Sequence, residues 1–312
     1  MSLPKVVAFG GGHGLAATLM ALKRLTDCVT AVVTVADDGG SSGRLREEFD
    51  CLPPGDLRMA LAALTGDNPE GRLWTDVLQS RFGGSGPLSG HAIGNLLIAG
   101  LWQRDPNPVT GLDAVGRLLE AQGRVLPMAS VPLVISADVV GIDHECPDDV
   151  CCLTGQARIA ETEGDVLQVR LTPPDPPACP EAVASIMEAD YLIFGPGSWF
   201  TSVVPHLLVP ELVSAILTTK AKRICVMNLS PVGETSGFTP TRHIEVLAEH
   251  CPQLTFDTVI ADPRFVQEDP HLEQLVASMR AELLVAEVGL RDGSPRHDPF
   301  LLAATLADVM EL

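Results

Sequence analysis

Short apolar runs recur along the chain, and each is followed by glycine or a polar cluster and then by a segment with helical apolar spacing. Residues 5–10 (KVVAFG) predict a buried strand, and 15–25 (LAATLMALKRL) predict the helix behind it. Residues 30–36 (TAVVTVA) predict a second strand. Residues 53–64 (PPGDLRMALAAL) read as a turn entering a helix, with Asp56 placed to cap it. Residues 90–103 (GHAIGNLLIAGLWQ) predict a further apolar helix, on which His91 and Asn95, one turn apart, would share a face.

The pattern changes between about 125 and 171. Residues 125–140, 150–160 and 165–173 predict three strands joined by acidic and glycine-containing turns, a β-rich excursion from the main sheet rather than a separate domain. The proline-rich 171–180 (LTPPDPPACP) ends it in an extended connection. Alternation then resumes, with strands at 191–194, 223–227, 257–261 and 282–288. Helices are expected at 204–219, despite Pro205 and Pro210, and at 241–250, 271–279 and 298–310.

This alternation predicts an α/β fold class: one domain over 1–312, built on a doubly wound, mostly parallel sheet with helices on both faces. In such sheets ligands sit beyond the carboxyl ends of the strands. Here successive strands exit into GGGHG, DDGGSSGR, GPGSW, NLSPVGET and DPRF, so one rim of the sheet is expected to form a binding cleft.

Composition narrows the ligand. Among 312 residues, 21 are Lys or Arg and 40 are Asp or Glu, a net charge of −19. A field of that sign repels nucleic acid and anionic membranes. Any phosphate site must therefore be built locally, from backbone N–H groups and a few arginines. Trp74, Trp102 and Trp199 form no stacking stripe with basic residues, so no nucleic-acid partner is expected. No apolar run is long enough to span a bilayer, and the first residues run straight into a strand, so a cytoplasmic protein without membrane insertion is expected. The eight cysteines are scattered. His144, Glu145, Cys146, Cys151 and Cys152 make a conceivable metal cluster, but adjacent cysteines on a strand face opposite ways and no C-x-x-C pair occurs, so a strand with small buried thiols is the better reading.

Gly10, Gly11, Gly12 and Gly14, with His13 among them, open the first helix and suit a phosphate or sugar cradle, though their spacing is not that of G-x-G-x-x-G. Asp37 and Asp38 follow the second strand. One carboxylate could hold Mg²⁺ or a sugar hydroxyl while the other caps the next turn. Gly39, Gly40, Ser41 and Ser42 could form an anion nest closed by Arg44 or Arg46. Asp56 and Arg58, taken alone, read as a cap and a surface charge. His91 and Asn95 divide evenly between core and ligand roles. Gly195, Gly197 and Ser198 bring backbone and hydroxyl donors to a helix start, for binding rather than catalysis, since nothing in the sequence supplies Ser198 with a base.

In combination, GGGHGL, TVADDGGSSGRLR, PPGDLR, SGHAIGNL, ADYLIFGPGSWFTSVVPHLLV, NLSPVGET with His243, and RHDP resemble the gluconeogenesis factor family, the YvcK-like proteins. These sit in a CofD-like superfamily that includes 2-phospho-L-lactate transferase. The resemblance runs from about Val6 to about Pro299. It implies a Rossmann-like core that binds a nucleotide sugar of the UDP-N-acetylglucosamine or UDP-glucose type, and a regulatory role linking central carbon metabolism to cell-wall synthesis and cell shape on gluconeogenic carbon. It implies that Asn228, Glu234 and Thr235 of NLSPVGET and Arg296 of RHDP meet the ligand, and that Phe265 stands at an aromatic position that could stack on uracil. It carries no established reaction. The alternative it offers is a Mg²⁺-dependent transferase whose acid pair corresponds to Asp37 and Asp38, with Mg²⁺ the one candidate cofactor. His13 stands where relatives often carry Thr or Ser, Trp199-Phe200 replaces the usual Leu-Tyr, and NLSPVGET varies an NLMTQPGET pattern. A nicotinamide-dependent oxidoreductase fits least, for want of the glycine spacing and of a base for hydride transfer. The apolar helices are compatible with a homo-oligomer.

Overall fold

The computed structural model describes residues 3–143, 145–267 and 269–312. The first half of the chain runs β1 (Val6–Gly10), α1 (Gly12–Leu22), β2 (Val29–Val33), α2 (Gly40–Phe49), α3 (Pro54–Leu64), α4 (Pro69–Gln79), α5 (Ile93–Arg104), α6 (Pro108–Leu118) and β3 (Arg124–Pro127). The middle holds β4 (Val134–Val140), β5 (Cys151–Thr154), α7 (Gln156–Ala160) and β6 (Asp165–Thr172). The remainder runs α8 (Pro180–Glu188), β7 (Tyr191–Phe194), α9 (Pro210–Thr218), β8 (Lys222–Val226), α10 (Pro240–His250), β9 (Thr258–Ala261), α11 (Pro263–Val266), α12 (Leu272–Ser278), β10 (Glu282–Val285) and α13 (Pro299–Met310).

Seven strands form one parallel sheet in the order β10-β9-β8-β7-β1-β2-β3. The expected α/β class with its doubly wound sheet is observed. The inner strands are apolar without alternation because helices cover both faces; every residue of β1 and of β9 is buried. Phe9 stacks on Phe194 at 4.7 Å between centroids, with Phe256 edge-on to Phe194 and the buried His206 edge-on to Phe9. Eight helices, α3, α4, α6, α8, α9, α10, α11 and α13, have proline in their first turn. There the missing N–H is no loss and the fixed φ favours helix entry.

Chain order reverses between β1 and β7. β2 and β3 lie on one side of β1, and β7 to β10 lie on the other. Such a switch point leaves a crevice beyond the strand ends, because the loops leaving β1 and β7 diverge to opposite faces.

The β-rich excursion exists with different limits. β4, β5 and β6 make a separate antiparallel sheet, whereas Val125–Pro127 belong to β3 at the edge of the main sheet. Residues 156–160, expected as strand, form α7. Its start is held by the Asp38 carboxylate, which accepts from the Ala157 N–H at 3.2 Å, a cap 119 residues away in sequence. The single helix expected at 204–219 is instead a short helical turn at Val204–Leu208 and then α9, which begins at Pro210. A π-type turn at Trp199–Val203 precedes them. Among the described residues, no single helix is long and apolar enough to cross a membrane.

The Phe9–Phe194 stack ties β1 to β7 at the switch point. Replacing Phe194 by Ala is expected to cost about 3–5 kcal/mol, read as a lowered urea midpoint, whereas the same change at the exposed Phe300 is expected to leave it nearly unmoved.

Candidate functional site

The switch-point crevice holds a cavity of about 660 Å³. The loop leaving β1 forms its floor, and the loops after β7 and β8 form one wall. Gln156 and Ala160 of α7 and the segment 290–299 complete it. Among the sequence-predicted residues, Gly11, Gly12, His13, Gly14, Asp56, Gly197, Ser198, Asn228, Glu234, Thr235 and Arg296 line this space. Gly10 and Gly195 lie at the strand ends behind it.

Close approach explains two of the glycines. A side chain on Gly14 would strike the Pro196 carbonyl and come within 2.7 Å of the Gly197 Cα. A side chain on Gly11 would run into the Asp56 carboxylate and within 2.6 Å of the Thr34 Cγ2. Thr18, one turn further along α1, donates from Oγ1 to the Gly195 carbonyl at 3.2 Å and fastens the helix to the β7 loop. The start of α1 therefore faces the cavity; its N-cap, Gly11, offers no side chain, and the Asp56 carboxyl meets only the first N–H, that of Gly12. Unpaired N–H groups and the helix dipole make such an end receptive to an anion.

The β7 loop behaves differently. Asn228 grips Gly197 on both sides, accepting its N–H and donating to its carbonyl, each at 2.9 Å. Glu234 is 5 % exposed. It accepts the Ser198 hydroxyl at 2.5 Å and the N–H groups of Trp199 and Phe200. Ser198 also meets the Thr201 hydroxyl. Burial pushes the Glu234 carboxyl up, and these hydrogen bonds pull it back. The partner Ser198 lacked in sequence is thus an acid from the next strand's loop.

Asp56 does not cap α3. The helix begins after Pro53, and Asp56 turns toward the cavity and the Gly12 N–H. Burial, then the nearby Asp37 carboxylate, push it up to about 7. Asp37 and Asp38 part company. Asp37 accepts the Gly39 N–H at 2.9 Å and lies against Gly55, whereas Asp38 points to α7.

The other predicted residues form a second, internal cluster. Arg58 is 4 % exposed and forms no ion pair among the described residues. It donates to Gln79 and, from Nε, to the Asn95 Oδ1 at 2.8 Å. Arginine only donates, so the Asn95 amide is oriented, and its Nδ2 donates to the Ser41 Oγ at 3.0 Å. The Ser41 proton is then directed at the His91 Nδ1, 2.9 Å away. Burial and then Arg44 hold His91 below its ordinary value, and burial holds Arg58 down at about 10. His91 lies ahead of α5, not on it. It meets Asn95 through Ser41 rather than along a helix face. Ser42 accepts the Gly55 N–H, and Arg44 donates to the carbonyls of Pro87 and Ser89, so the expected anion nest after Gly39 and Gly40 is engaged with the protein itself.

Phe265 lies outside the cavity, 3 % exposed and edge-on to His243. The DPRF loop is closed on itself: Asp262 accepts from Arg264, Val288 and Gly289. The thiols expected to be buried are not: Cys146 and Cys152 are exposed and Cys151 partly so, because β5 is an edge strand of the small sheet, and His144 lies outside the described residues. No group of three His, Cys, Asp or Glu side chains is placed to hold a metal among the described residues. Sequence reading missed Gln156, Ser230 and His297. His297 is the histidine of the RHDP pattern, which could have signalled it; it donates to the Met227 carbonyl at 3.1 Å and is lowered by burial to about 4. Nothing in the sequence signalled Gln156.

Residues 6–285 match the family described as 2-phospho-L-lactate transferase CofD. A Mycobacterium tuberculosis protein is 55% identical over 308 residues, covering 97% of this chain and 90% of that one. A gluconeogenesis factor of Bacillus subtilis is 33% identical, covering 99% and 98%. A crystal structure of a UPF0052 family member from Bacillus halodurans superposes with a TM-score of 0.85 at 31% identity, covering 98% of this chain and 99% of that one.

Asp56, protonated more readily in the fold than in the open chain, penalises the fold progressively from about pH 4 to about pH 7 and fully above that. Below pH 4 both states carry the proton and the penalty vanishes. Asp56→Asn is therefore expected to stabilise the protein at pH 8 by about 1–3 kcal/mol and not at pH 4. Urea unfolding of both proteins at the two pH values checks this, and a gap independent of pH contradicts it.

Proposed function

The chain belongs to the 2-phospho-L-lactate transferase CofD family, with relatives named gluconeogenesis factor, and from that premise we propose that it is a regulatory protein that binds a nucleotide sugar of the UDP-N-acetylglucosamine or UDP-glucose type. The supporting observation is the cavity at the β1–β7 switch, where the start of α1 faces a space of about 660 Å³. Pockets of a few hundred to about 1,000 Å³ take ligands of this size. The start of α1 and the exposed guanidinium of Arg296 at the mouth suit a diphosphate, in a protein whose net charge is otherwise −19. Ala17, Met20 and Leu290 offer the base an aliphatic surface, in place of the aromatic stacking expected of Phe265. The regulatory part, a link from gluconeogenic carbon to cell-wall synthesis and cell shape in the cytoplasm, rests on the family resemblance.

One observation favours a second reading, a Mg²⁺-dependent transferase. Asp56 faces Asp37, and the charge of Asp37 helps to hold Asp56 protonated near pH 7. Mg²⁺ is typically held by one or two carboxylates together with substrate phosphates, so Asp37 and Asp56 fit it, while Asp38, turned to α7, does not join them. Mg²⁺ bound there would neutralise charge on a transferring phosphate.

Calorimetric titration with UDP-N-acetylglucosamine and UDP-glucose, with and without Mg²⁺, tests the proposal. Binding indifferent to Mg²⁺ is expected, with Arg296→Ala weakening it about tenfold and leaving the melting temperature unchanged. Heat only in the presence of Mg²⁺ moves the weight to the transferase. No binding of either sugar nucleotide at millimolar concentration removes the nucleotide-sugar proposal.

A further inference from the structure

Resting on the nucleotide-sugar reading, we propose that α7 is a crossbar over the switch-point crevice and that its Gln156 reads the hexose of the ligand. The main sheet contributes nothing to α7; the antiparallel excursion delivers it, between β5 and β6.

Two contacts fix where the crossbar lies. At its start the Asp38 carboxylate accepts the Ala157 N–H at 3.2 Å. A Cβ on Gly155 would strike an oxygen of the same carboxylate, and Gly155 has φ +104°, so the chain passes Asp38 with no side chain between them. At its end the Ala160 carbonyl abuts Gly233, where a Cβ would again find no room. Asp38 stands on the loop after β2 and Gly233 on the loop after β8. Those strands lie on opposite sides of the β1–β7 seam, so five residues of helix are held by both halves of the sheet at once. Residues four apart share a helix face, and Gln156 and Ala160 both line the cavity.

Most polar side chains around the cavity are already engaged. Asn228 is spent on Gly197, Glu234 on Ser198 and two backbone N–H groups, and Asp56 meets the Gly12 N–H. The Gln156 carboxamide has no hydrogen-bond partner among the described residues, although it is half-buried and lines the same space. A carboxamide both donates and accepts. That suits a hydroxyl, which does the same, whereas a phosphate would leave the amide oxygen facing an anion. The other parts of the ligand have their places: the diphosphate at the start of α1 and Arg296, the base on Ala17, Met20 and Leu290. The wall made by α7 and the β8 loop remains for the group beyond the diphosphate, which is the hexose. Asp38 is then a positioning residue that acts through Gln156.

Titration of UDP-glucose and UDP into the wild type, Gln156→Met, Asp38→Ala and the double variant tests this. The wild type is expected to prefer UDP-glucose. Gln156→Met keeps the bulk of the side chain and removes its polar groups. It is expected to bind UDP-glucose about 5- to 10-fold more weakly, with its affinity for UDP and its melting temperature unchanged. Asp38→Ala is expected to give the same selective loss, and the double variant no further loss. A further loss in the double variant overturns the positioning role of Asp38. No weakening by Gln156→Met, equal weakening for both ligands, or a wild type that binds the two alike overturns the assignment of Gln156, and this arm stands even if Asp38→Ala folds poorly. A wild type that binds neither ligand removes the nucleotide-sugar reading itself.

Discussion

The site depends on backbone touching backbone. Gly14 meets Pro196 and Gly197 with no room for a Cβ, and this contact brings the loops of two adjacent parallel strands within reach of one ligand. Every other element of the cavity is arranged around it. Thr18 fastens α1 to Gly195, Asn228 holds Gly197 from the other side, and the Phe9–Phe194 stack keeps the two strands together beneath. The glycines here answer to a packing constraint first, and the opening they leave is its by-product.

The acids and bases divide the same region into two kinds of chemistry. Around the cavity, Asp56 and Glu234 are held by backbone N–H groups and raised by burial. A buried carboxyl without a cationic partner is expensive, and folded chains keep such groups only where hydrogen bonds or function hold them. Beside the cavity, Arg58, Asn95, Ser41 and His91 form a relay in which one arginine orients every donor in turn. That relay joins α2, α3 and the start of α5. None of its four side chains lines the cavity.

The sheet could be read from sequence because parallel strands covered on both faces are unbroken apolar runs, and YLIF, TAVVTVA and KVVAFG are such runs. The glycine loops were legible for the same reason, since each follows a run and opens a helix. What escaped depends on contacts between distant segments. α7 was expected as strand in QARIA, and the Asp38 carboxylate that meets its first turn lies 119 residues away, where no local pattern shows it. Asp37 and Asp38 look like a pair, yet consecutive residues of an extended chain face apart: Asp38 turns to α7, and the charge of Asp37 acts on Asp56. Ser198 looked unpartnered because Glu234 lies on the loop of the next strand. The serines after Gly40 looked like ligand groups because sequence shows donors but not the partners already taken.

The adjacency of β1 and β7 has a consequence for how the molecule comes into being. Val6 pairs with Tyr191, and Lys5 bonds to Asp190, across 185 residues of chain. Contacts of such separation form late, because the loop entropy must be met before the contact stabilises anything. During synthesis β1, β2 and β3 emerge together with one flank of β1 bare until the Tyr191–Phe194 strand follows. The ligand cavity lies on that seam. It is therefore absent from every partly made chain, and any molecule that occupied it would bind only the finished, joined chain and would help to hold the two halves closed.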